Sequence, residues 1–194
     1  MLTAIALIPS APALVPQLVG AAADELSDLR QAVFAAAGAL PERWVAVGVG
    51  RADEVAAPTA TGTFAGYGVD IRVGLSPDAD DVRDLPLSAL ITGWVRAEVK
   101  PGAHAEVRVF AASHSGQDAI RRGTELRSVI DLVGESVGVL VVADGANTLT
   151  QVAPAATIRP RSPCSPLSTM RLPREMWLHF VDYRRQSPAG SHGR

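Results

Sequence analysis

The chain has 194 residues, is 47% hydrophobic and 20% charged, and carries a formal net charge of −2. This is the composition of a globular chain long enough to bury a sizeable core, and it excludes an intrinsically disordered protein. The small net charge argues against general nucleic-acid binding, and the lone cysteine, Cys164, excludes an internal disulfide or a cysteine-based zinc site.

Leu2–Ile8 is a short uninterrupted apolar run halted by Pro9, the pattern of a strand buried on both faces. The opening superficially resembles a secretory signal, but it has no basic n-region, and Pro9, Pro12 and Pro16 interrupt it. With the single cysteine, this gives a cytoplasmic expectation. No stretch reaches the roughly 18 apolar residues of a membrane span.

Pro9, Ser10, Ala11 and Pro12 form a rigid loop at the strand's end. From 22 to 40 apolar residues recur at three and four (Leu26, Leu29, Val33, Ala37, Leu40), which predicts a helix ended by Pro41. Residues 44–49 are a second buried strand, and Gly48, Val49, Gly50 and Arg51 turn off its end. The stretch 52–68 predicts a long loop holding a weak strand at 61–64, and 69–75 a further strand. Asp78, Asp80, Asp81 and Asp84 then lead as a solvated acidic segment into a helix over 86–99. A strand at 105–111 follows. Ser115 and Asp118 are spaced as a capping box opening a helix to about residue 133, and 137–143 is a last, very apolar strand.

Buried strands alternating with amphipathic helices predict a three-layer α/β/α sandwich around a mostly parallel sheet, with a mixed sheet left open. The strands at 2–8, 44–49, 105–111 and 137–143 are the expected central neighbours. In such sheets ligands sit outside the carboxyl ends of the strands. The candidate cleft is therefore Ser10, Gly48, Gly50, Arg51, Asp144 and Asn147.

The last 44 residues break with this pattern: seven arginines against two acids, six of the 14 prolines and no apolar period. The division expected is an α/β domain over 1–150 and an Arg/Pro-rich segment over 151–194, either disordered or frameshifted. The second reading has a specific basis. Back-translating Ala155 to Pro160 with GC-rich codons one base earlier permits Gly-Gly-Tyr-Asp-Pro. The same shift from Cys164 to Leu178 permits a capped amphipathic helix.

Motifs for established chemistry are weak. Gly48, Val49, Gly50 and Arg51 lack the third glycine of a dinucleotide fingerprint and read as a tight turn, while Arg51 could clamp a carboxylate or phosphate. The aspartates at 78–84 lack the glycine and terminal glutamate of an EF-hand loop. Asp144, after a buried strand and beside Gly145, reads equally as a functional residue and as a turn former. His104 and His114 have no sequence neighbour that marks a catalytic or metal site. They read as solvated loop residues, His114 being the one offered for acid/base work. Neither Ser10 nor Ser115 sits in a nucleophile elbow.

Five segments in order carry a resemblance: AIALIPSAPALVP, VAVGVGR, YGVDIRVGL, LPLSALITGWV and VLVVADGANTLT. Together they resemble small actinobacterial members of the LigB-type class III extradiol ring-cleavage dioxygenase superfamily, over about residues 1–150. The out-of-frame Gly-Gly-Tyr-Asp-Pro matches how relatives continue. The resemblance implies Fe(II) held by two histidines and a glutamate, with a further histidine as acid/base. Here Ser10 stands at the first ligand position, no histidine follows the second strand, and the segment around Asp144 lacks the acid/base histidine.

The expectation is a LigB-like protein with no metal and no cofactor, Fe(II) belonging only to the dioxygenase alternative. It would bind a small molecule or a partner at the old cleft, with homo-oligomers allowed and neither nucleic acid nor membrane as a partner. The alternatives are altered chemistry at the same cleft through Asp144, Arg51 and His114, or extradiol cleavage proper.

Overall fold

The computed structural model describes residues 1–143; Asp144, Asn147 and the 151–194 segment lie outside the described residues. In chain order the elements are β1 (Leu2–Ile8), α1 (Pro16–Val19), α2 (Ser27–Gly38), β2 (Arg43–Gly50), β3 (Glu54–Ala56), β4 (Ala60–Thr63), β5 (Arg72–Gly74), β6 (Asp81–Val82), α3 (Leu87–Val99), β7 (His104–Ala111), α4 (Gly116–Leu132) and β8 (Val137–Val142).

The main sheet has the order β1-β8-β2-β7-β3. Its first four strands are parallel and β3 runs antiparallel to β7, so the sheet is mixed. All four strands expected to be central neighbours are neighbours. Alternation along β2 explains the layering. Trp44 and Ala46 point into the larger core with α2 and α3, while Val45 and Val47 face α4. Leu126 and Ile130 of α4 close the second core over Val137 and Val139. The result is an α/β/α sandwich.

A smaller sheet, β5-β4-β6, flanks α3. Sandwiched between two sheets and α2, α3 is buried continuously from Ser88 to Arg96. Arg96 is a buried clasp: Nε donates to the Gly74 carbonyl at 3.0 Å, and the guanidinium also reaches the carbonyls of Pro101 and Ala103. Burial pushes its pKa down.

Several expectations are corrected. β1 is not buried on both faces: among the described residues it is an outer strand, and although Leu2 packs against the α4 core, Ile5 and Leu7 are 61% and 70% exposed. The helix expected from residue 22 begins at Ser27, preceded by 3-10 turns over Gly20–Leu26 that start at a glycine with φ of +54°. The 52–68 stretch holds β3 and β4 rather than one weak strand, and the strand expected at 69–75 shortens to β5. The acidic segment contains β6, parallel to β4.

Candidate functional site at the carboxyl edge of the sheet

Because β1, β8, β2 and β7 are parallel, their exits share one edge. Ser10 sits half-buried after β1, Arg51 follows β2, and His114 follows β7. Adjacent strands are about 4.8 Å apart, so Ser10 and Arg51 follow strands separated by two spacings, roughly 10 Å.

Gly48 and Gly50 do not form a turn; both lie inside β2, which runs straight to Gly50. Their role is close approach. A Cβ on Gly48 would meet Ser88 Oγ at 2.2 Å, and one on Gly50 would meet Val109 Cγ1 at 2.6 Å. The missing side chain at Gly48 thus lets the first turn of α3 press against the end of β2, and the one at Gly50 leaves room for Val109 of β7. Ser88 Oγ is buried there without a hydrogen-bond partner among the described residues.

A groove of about 520 Å³ lies outside the end of β2. Gly50, Arg51, Tyr67, Leu87, Glu54 and Asp84 are among the residues lining it. Arg51 is exposed and has no salt-bridge partner among the described residues. A groove with one cation, two carboxylates, a phenol and a leucine can hold a small molecule carrying both an anionic group and hydrogen-bond donors.

On the other side of the β2 exit lies a cluster that the sequence did not reveal. The imidazole of His114 donates from Nε2 to Asp53 Oδ1 at 2.6 Å. The same oxygen accepts the Ala111 backbone N–H at 2.8 Å, and Arg122 pairs with Oδ2 at 2.7 Å. Arg122 also lies over the Phe110 ring, 5.7 Å from its centroid. The Ala111 N–H and then the His114 bond hold the Asp53 carboxyl below its usual range, with Arg122 adding to the effect against partial desolvation. His114 is therefore an oriented, half-buried group and not a solvated loop residue. Asp53 and Arg122 carried no sequence signal, since they stand 61 and 8 residues from His114 and meet only through the β3–β7 pairing.

His104 lies at the opposite, amino edge. There a second groove of about 380 Å³ runs between β2, β7 and α4 over Trp44, Leu126 and Ile130. Among the described residues no three His, Cys, Asp or Glu side chains converge as a metal site requires, and Ser10 offers only a neutral hydroxyl. The residues described therefore do not fit the ferrous centre that the resemblance implies. No described helix is long and apolar enough to cross a membrane. Compared with known proteins, the chain matches no family model and no curated protein.

Proposed function

We propose that this chain is a LigB-like cytoplasmic α/β protein that binds a small hydroxy- or amino-carboxylic acid at the carboxyl edge of its main sheet, without extradiol dioxygenase activity. The observation that carries this reading is the groove beside Arg51. Arg51, which has no salt-bridge partner among the described residues, lines this groove together with the Glu54 and Asp84 carboxylates, Leu87 and Tyr67. Arg51 takes the ligand's carboxylate in a two-point hydrogen bond, and Glu54 and Asp84 accept from its hydroxyl or ammonium group. The missing imidazole at Ser10 supports the absence of iron chemistry, and the chain's net charge of −2 supports the absence of nucleic acid as a partner.

The test is a thermal-shift screen of hydroxy- and amino-acids against the wild type and Arg51→Ala. Stabilisation of the wild type alone supports the reading, because a ligand that binds only the folded state raises Tm. Equal stabilisation of both proteins places binding elsewhere. A second reading, altered chemistry at the same edge, is favoured by one observation: Asp53 orients His114 as a carboxylate orients a general base. It would show as turnover of a bound ligand that His114→Gln abolishes while binding is kept.

A further inference from the structure

The two edges of the main sheet are built differently. β3 is three residues long, carries Glu54, and is followed closely by Pro58. Short, charged and proline-flanked, it is a blunted edge. β1 is seven residues long and uncharged throughout (LTAIALI). It is outermost in the strand order among the described residues, and Ile5 and Leu7 stand exposed beyond Leu2, which packs against the α4 core.

Its backbone is also open. Ala143 donates to the Ile8 carbonyl, so the polar groups of Ile8 face β8. Alternation then turns the N–H and C=O groups of Leu7 and Ile5 outward, away from the sheet. Among the described residues nothing pairs with the backbone of these two, and their apolar side chains are exposed. An uncharged strand with this arrangement is complementary to itself, since no like charges meet when it pairs antiparallel with a copy.

We propose that β1 pairs antiparallel with β1 of a second copy of this chain, about a two-fold axis that sets Ile5 of each copy opposite Leu7 of the other. That register forms about four backbone hydrogen bonds in two narrow pairs. It also joins the two exposed strips into one cross-strand apolar cluster. Pro9, which lacks an N–H, ends the ladder on each side. Because β3 cannot accept a strand, association closes at two copies and does not propagate. A strand about 23 Å long offers less than the roughly 800 Å² per partner of a standard interface. The dimer is therefore of micromolar, not nanomolar, strength.

Sedimentation equilibrium of the full chain from about 1 to about 100 µM tests this, the span over which a micromolar dimer dissociates. The expected mass rises from one chain to two. Leu7→Lys and Ile5→Lys, both at exposed positions, should stay monomeric across the range with unchanged circular dichroism. Val55→Lys, on the β3 edge, should dimerise as the wild type does. Two lysine variants are used so that either can be read if the other misfolds. A wild type that stays monomeric, a dimer indifferent to both β1 lysines, or growth beyond two copies would each overturn the proposal.

Discussion

Asp53 and His114, 61 residues apart, meet at 2.6 Å and fasten the turn after β2 to the turn before α4. Arg122 and the Ala111 N–H complete the fastening on the same carboxylate. Asp53 stands between Ala52 and Glu54, which line the candidate groove, so the cluster anchors that stretch of chain.

Asp53→Asn should lower Tm at neutral pH, and the loss should depend on pH with a definite sign. The folded-state pKa of Asp53 lies below its ordinary value. Its stabilising contribution is thus complete above the unfolded value of about 4 and disappears as pH falls through the lower folded value. The Tm gap between wild type and variant should be wide near neutrality and close in acid. A gap that stays constant down to strongly acidic pH would contradict the assignment.

Ser115→Ala should cost about 1 kcal/mol, the usual worth of an N-cap. The Ser115 hydroxyl accepts from the Asp118 N–H at 3.1 Å and donates to the Asp118 carboxylate at 2.7 Å, and that carboxylate also accepts the Ser115 backbone N–H, which closes the capping box expected from the sequence. Arg121 and Ser115 bring the Asp118 carboxyl down to about 2. The Asp118 contribution is therefore present above about pH 4 and is lost as pH falls toward that folded value. Combining Ser115→Ala with Asp118→Ala should cost less than the sum of the two, measured by urea unfolding, because one interaction serves both.

Gly48→Ala should destabilise by at least about 1–3 kcal/mol through overpacking, since the new methyl falls 2.2 Å from Ser88 Oγ and 2.3 Å from its Cβ. Ser88→Gly should partly rescue it. A double variant no more stable than Gly48→Ala alone in denaturant melts would show that the two positions are not in contact. Ser88→Ala by itself should be neutral or stabilising, because the hydroxyl it removes is buried and unpaired.

Arg96→Ala should cost about 2–4 kcal/mol by stranding buried carbonyls that the guanidinium now satisfies. The fall should appear as a lower urea midpoint. An unchanged midpoint would mean that water replaces the guanidinium without loss.

The sequence showed most of the sheet because β2 and β8 bury residues against both helix layers, which forces apolar runs, while β7 alternates buried Ala105, Val107 and Val109 with His104, Glu106 and Arg108. It misplaced β1 as fully buried because an apolar run does not say which layer is missing. Ile5 and Leu7 look like core and are not. The early helix start failed at Gly20, whose positive φ no hydrophobic pattern encodes. The Gly48 and Gly50 spacing has the look of a turn in sequence but serves close packing by Ser88 and Val109. Arg51 was legible as a residue at a strand exit. The Asp53–His114–Arg122 cluster was not, because it depends on the antiparallel register Glu54↔Val109, which no local signal sets.

The most direct test of the central claim is an amide NMR titration of the protein with the strongest stabiliser from the hydroxy- and amino-acid screen. Two grooves compete: the one at the carboxyl edge beside Arg51, and the one at the amino edge over Trp44 and Ile130. Binding as proposed shifts the amides of Gly50, Arg51, Tyr67 and Leu87 in the wild type, leaves those of Arg43, His104 and Ile130 in place, and vanishes in Arg51→Ala. Shifts confined to the amino-edge residues, or shifts that survive Arg51→Ala, would contradict it.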